Sequence, residues 1–298
     1  MATIQQNTIG HISGSIYGVA AYTSDNDSMQ HIIVATTDGT LYEIHWGSQI
    51  PASAPQPLAH FDGLVCLTGF YTSDDSFQHV IVGTNDNSLQ EVYFQDPTRP
   101  QVRIPLIQLG STIDTGIGMS GYFSSSDNLR HAAVIDRSSV LHEVTFNAQQ
   151  PPVIADFATQ FALDQIASIA GLYTPDDNSR HTVVALKDGR VYDINYTTNQ
   201  SAASTNLLTQ FGQPLVNVAA FFSSDTNFRH VIALAASGRV YDYSRSLQSE
   251  FGQTPLASFS NIVDMAAYYS AYDNNRHVII ATRDGTLHEI YYQHLGTV

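Results

Sequence analysis

The sequence predicts an all-β fold, a closed ring of six four-stranded antiparallel blades, and three observations carry that expectation. One segment recurs six times, each copy led by a histidine (His31, His79, His131, His181, His230, His277) with an acidic residue twelve positions later (Glu43, Glu91, Glu143, Asp193, Asp242, Glu289). Successive histidines lie 47 to 52 residues apart, a period typical of arrays in which each unit buries its faces against its neighbours. The last copy stops after its third strand, and a piece resembling the missing strand precedes the first copy. A six-bladed β-propeller satisfies all three, with residues 1–298 as a single domain.

The elements follow in order. Residues 2–11 are expected to form the outer strand of the sixth blade, closing the ring and removing the edges of an open array. The inner runs IYGVAAY, LVCLTGF, IGMSGYF, IASIAGLY, LVNVAAF and VDMAAYY are apolar and rich in small or β-branched residues, as strands buried on both faces are. A polar loop follows each, and the first copy is read with one extra loop residue, YTSDNDSMQH against YTSDDSFQH. In the fourth copy, 181–187 and 190–196 form a hairpin about Asp188-Gly189, a strong turn signal. The linker 197–203 then leads to a fourth strand, STNLLTQF. Tyr22, Tyr71, Phe123, Tyr173, Phe222 and Tyr269, before the polar loops, are read as blade packing.

The turn decides whether each His shares a face with its acid. A two-residue turn puts them on opposite faces, whereas a three-residue turn with its last residue left-handed shifts the pairing by one and brings them together. Gly39, Gly189, Gly238, Gly285 and Asn87 occupy that last position and tolerate positive φ. The three-residue turn is therefore expected, with Ser138-Ser139 breaking the rule, and each His–acid pair should face the cleft beside the next blade. Two roles stand open for the ladder: a structural hydrogen bond repeated in every blade, or a ligand site repeated between blades. One His and one carboxylate per unit fall short of the ligands zinc normally takes. The Asp-rich loops lack the ordered spacing of a calcium cage and read as Asx turns. No metal or other cofactor is expected.

Composition narrows the function classes. A net charge of −15 opposes nucleic-acid phosphates and anionic lipid surfaces. No apolar run is long enough for membrane insertion as a helix. Cys66, the single cysteine, sits in an apolar run and reads as a buried structural thiol. MATIQQNTIG has neither a basic nor an apolar leader region, so a cytoplasmic or non-classically exported protein is expected.

Each copy resembles the repeat of the six-bladed fucose-specific lectins of fungal and bacterial type. A blade of that family reads Arg, a strand, a DG turn, apolar-x-Glu, and an aromatic three residues after the Glu. Its Arg and Glu bind sugar while aromatics stack on it. This chain keeps the spacing, turn and acid, and keeps the aromatic as Trp46, Phe94, Phe146, Tyr196 and Tyr292. His stands in place of the family's Arg in all six copies, and Arg245 replaces the aromatic in the fifth. The resemblance implies a non-catalytic, multivalent carbohydrate-binding protein with glycans as partners, fucose-like sugars among them. It makes the six His–acid pairs and the five aromatics candidate sugar-binding residues. Trp46 beside His31 and Glu43 would give the first blade the strongest site. Arg130, Arg180, Arg229 and Arg276, with Gln30 and Gln78, precede the histidines and should point to the opposite face, solvated or salt-bridged. The competing classes are a protein-interaction scaffold with a purely structural ladder, and a propeller hydrolase or lyase, whose site would break the six-fold repetition.

Overall fold

Short apolar runs punctuated by turn residues every eight to ten positions fold here into six antiparallel sheets. The computed structural model describes residues 3–47, 50–95, 101–102, 105–114, 117–196 and 204–293. In the fourth blade, Ile166–Thr174 is innermost, followed outward by Ser179–Leu186, Arg190–Tyr196 and Ser204–Gln210. The linker 197–203 lies outside the described residues. The other blades repeat this order around inner strands Ile16–Ser24, Leu64–Tyr71, Met119–Ser124, Leu215–Ser223 and Ile262–Ser270. The second blade varies at its rim, where two short pieces, Gln101–Val102 and Ile107–Gln108, share the outer position.

Ring closure follows the expected route. Gln5–His11 pairs antiparallel with Thr286–Tyr292, joining Gln5 to Tyr291 and His11 to Thr286. Residue 2 lies outside the described residues. The core is divided among the clefts between blades, where Ile, Val and Leu from facing sheets interdigitate. Cys66 is buried in one of these layers, and burial pushes its thiol up to about 12.

The hairpin turns set the register. Ala35 faces Leu41 and Ala185 faces Val191, leaving a three-residue turn closed by the N–H of Gly39 or Gly189 on the carbonyl of Thr36 or Leu186. Gly39 has φ +88°, and a Cβ there would collide with the carbonyl of Phe61, whose own N–H donates to Gly39 O. Ser139 makes the same turn at φ 65°, so the expected exception is absent: a serine bears the left-handed conformation that glycine and Asn87 take elsewhere. The extra loop residue expected in the first copy is also absent. Tyr22 pairs with His31 as Phe70 pairs with His79, so Thr23 is the counterpart of Tyr71.

Candidate ligand-binding clefts

The three-residue turns bring every His and acid of a hairpin to one face and into direct contact. The Nδ1–H groups of His31 and His79 donate to Glu43 and Glu91 at 2.7 and 2.8 Å, and that of His131 to Glu143 at 3.1 Å. His181, His230 and His277 meet Asp193, Asp242 and Glu289 at 2.9, 3.0 and 2.8 Å. All twelve side chains are buried. Each imidazole also lies against an inner-strand side chain, stacking on Tyr22, Phe70, Tyr122, Phe221 and Tyr268.

The second ring nitrogen has a partner that sequence reading missed. The Nε2 atoms of His31, His79, His131 and His277 reach the carboxylates of Asp27, Asp75, Asp127 and Asp273 at 3.2 to 3.4 Å. Those of His79, His181 and His230 also meet the hydroxyls of Thr72, Thr174 and Ser223. These loop aspartates do form Asx turns, accepting from the backbone two residues on, as Asp27 does from Met29. The overlooked signal is the four-residue interval from Asp to His, kept in five copies and broken by Thr226 before His230. Burial opposes charge on the imidazoles, but carboxylates at both nitrogens outweigh it and hold His31, His131, His181 and His277 above the usual imidazole range. Burial also opposes charge on Asp27, Asp127 and Asp273, yet their histidine partners draw them below the usual carboxylate range.

The face opposite each His belongs to the preceding cleft. Gln30 lies across from Trp46, Gln78 from Phe94, Arg130 from Phe146, Arg180 from Tyr196, Arg229 from Arg245 and Arg276 from Tyr292. A cleft thus combines the His and acid of one blade with the aromatic and the Arg or Gln of the next. Tyr196 donates to Glu143 at 2.9 Å, and Arg180 meets the same carboxylate at 3.1 Å. Trp46 therefore does not stand beside His31 and Glu43. It packs with Tyr268 and Ile279 of the sixth blade, on the His277 side. Among the aromatics, Trp46 is 8 % exposed, and Phe94, Phe146, Tyr196 and Tyr292 are at most 1 % exposed.

The arginines are salt-bridged and buried across the blade interface. Arg130 pairs with Asp74 and Asp75, Arg229 with Asp176 and Asp177, and Arg276 with Asp225. Their alternation with glutamine has a chemical reason. Tyr22 and Tyr268 carry hydroxyls that need acceptors, and the amide oxygens of Gln78 and Gln30 accept them at 3.0 and 2.8 Å. Arginine has no acceptor. It appears where the preceding blade offers Phe70, Leu172 or Phe221, or Tyr122, whose hydroxyl already donates to Glu143. The Nε–H groups of Arg130, Arg180, Arg229 and Arg276 are buried and have no hydrogen-bond partner among the described residues.

The fourth–fifth cleft departs furthest from the repeat. Leu172 replaces the stacking aromatic, Asp193 is a short acid, and Arg245 stands at the second aromatic position. A cavity of 20 Å³ opens there, bounded by His181, Asp193, Arg229, His230 and Arg245. Among the described residues no group of three or more His, Cys, Asp or Glu is arranged to hold a metal ion.

No family model and no curated protein matches the chain. Solved structures do. AofleA from Arthrobotrys oligospora is 13 % identical, with a TM-score of 0.72 over 98 % of this chain and 87 % of its own. The BP39L lectin from Burkholderia pseudomallei is 16 % identical, with a TM-score of 0.66 over 94 % and 82 %. The lectin of Aleuria aurantia, described as a six-bladed β-propeller with a fucose recognition mode, is 12 % identical, with a TM-score of 0.65 over 96 % and 93 %. At such identities the likeness is one of fold, and its structural neighbours include the fucose-specific lectins.

Proposed function

We propose that this chain is a non-catalytic carbohydrate-binding propeller whose ligands engage the clefts between blades. The observation that carries the reading is the content of four clefts: an arginine with an unpartnered Nε–H beside a carboxylate, an imidazole and aromatic or apolar side chains. A pyranose offers matching hydroxyls and an apolar C–H face. Because the His–acid pairs are buried, the sugar ring would rest at the cleft lip and send one hydroxyl inward. The 20 Å³ cavity between the fourth and fifth blades has room for one such group. Several weak sites on one rigid ring gain avidity on a glycan-bearing surface. The lectin neighbours, fucose binders among them, favour neutral deoxy sugars as the first class to try.

A glycan array tests this directly, with Arg229→Gln as the companion variant. Binding to fucosylated glycans by the parent, weakened in the variant, is the expected result. A silent array with folded protein would overturn the proposal. The competing reading, an interaction scaffold, is favoured by the near-complete burial of all six His–acid pairs, and it would then stand.

A further inference from the structure

At one end of the ring, where the inner edges of the interblade clefts meet, the channel widens into a bowl of 430 Å³. Its wall is aromatic: Tyr71, Phe123, Tyr173, Phe222 and Tyr269, one from each of the second to sixth blades, line it half-buried. These side chains were expected to be packing alone, yet each presents surface to the hollow. The first blade breaks the ring. There the corresponding residue is Thr23, and exposed Asp25 is the one charged residue of the lining among the described residues. Tyr272 leans across from the sixth blade to donate to Asp25 at 2.7 Å, fixing the carboxylate at the gap.

An aromatic wall with one carboxylate attracts a cation that has an apolar surface, through the negative faces of the rings and the fixed charge. The six loops at this mouth carry nine aspartates, and eight of them are paired with arginines or with the ladder histidines, which leaves Asp25 as the loop carboxylate with no cationic partner among the described residues. The wall already accepts a cation from within, since the Arg276 guanidinium lies 5.3 Å from the ring centre of Tyr269. We propose that the channel mouth is a second binding site, for a small organic cation of the alkylammonium class, enclosed by the five aromatics and oriented by Asp25.

The test compares choline with its uncharged isostere 3,3-dimethylbutan-1-ol by saturation-transfer NMR titration. The parent, Asp25→Asn and the double variant Phe123→Leu, Phe222→Leu are titrated, each first shown to be folded by circular dichroism. Choline should bind saturably and about three- to fivefold more tightly than the isostere. Asp25→Asn should remove about threefold of the choline affinity while leaving the isostere unchanged, and the double variant should weaken both. Absence of saturable choline binding, equal affinity for the two probes, or an Asp25→Asn titration matching the parent would each overturn the proposal. Asp25 is exposed, so that variant remains informative if the double variant does not fold. None of these outcomes depends on the glycan array.

Discussion

Asp264 offers the sharpest test of how the inner ring is held together. It lines the central channel of 330 Å³, where it accepts from Val19 N–H of the first blade at 2.8 Å and from Asn217 Nδ2 of the fifth at 2.5 Å. Ser168 of the fourth blade donates in turn to Asn217 Oδ1 at 3.2 Å. Among the described residues no cation pairs with this carboxylate, and burial raises it to about 6 against the backbone and amide donors that favour its charge. The folded state therefore binds a proton that the unfolded chain releases near pH 4. Stability from this group is present below that pH and is lost as pH rises through 6. The shift corresponds to roughly 3 kcal/mol at most, since channel water screens part of it. Asp264→Asn should abolish this dependence. The new amide can still accept from Val19 and, once Asn217 flips, donate to its oxygen while Asn217 Nδ2 donates to Ser168. Urea denaturation of parent and variant at pH 4, 5, 6 and 7 is the assay, at low protein concentration because the pI of 4.9 falls inside the range. The variant should gain on the parent by up to about 3 kcal/mol between pH 4 and 7. Parallel curves would show that the carboxylate titrates normally and that the argument from channel burial is wrong. Histidines of raised pKa act in a higher window, losing their contribution above pH 6.5, and the loop aspartates act below 3.8.

Other outcomes follow from the clefts, the turns and the closure. Removing residues 2–11 exposes the strand Thr286–Tyr292 as an edge, so the melting temperature should fall and light scattering should report aggregation; unchanged melting would count against closure by this strand. Glu143→Ala strips the partner of His131, Tyr122, Tyr196 and Arg180 and should cost about 3–5 kcal/mol in urea titration, whereas a loss below 1 would mean that water replaces it. Trp46, the single tryptophan, is buried, so its emission should be blue-shifted in the folded protein and move to the red on unfolding; a solvent-like native maximum would contradict its placement. Ser139→Gly should stabilise by about 1 kcal/mol by relieving the left-handed turn, while Gly39→Ala should destabilise, and calorimetry showing the reverse order would refute the turn geometry.

The architecture was legible because its signals are local and repeated: the His interval, the DG turns and the displaced strand each survive translation into backbone geometry. The His–acid contact was legible for the same reason, since the left-handed residue in the turn fixes which face a side chain takes. The allocation of the opposite face was not. Placing Trp46 beside His31 ignored the two-residue period that sends Trp46 and Gln30 together into the preceding cleft. Depth was also invisible, because twelve polar side chains in strands look alike in sequence whether they meet solvent or one another. The loop aspartates were seen as turn formers, and their second bond to the imidazole depends on a loop curvature that composition does not encode.

The pairing of Gln5 with Tyr291 has a consequence for how fast this molecule can be made. Each of the first five blades is assembled from hairpins between near neighbours in the chain, contacts that form early and cheaply. The sixth must unite segments separated by almost the whole polypeptide, and contacts of that span slow folding because their entropy is lost before any stabilisation returns. Pairing of Gln5–His11 with Thr286–Tyr292 is therefore expected to come late in folding, and until it forms the hairpin ending at Tyr292 presents an unpaired edge to any strand nearby. Moving the break in the chain to a linker inside another blade would change which sheet waits, and with it the rate of refolding, while leaving the finished ring the same.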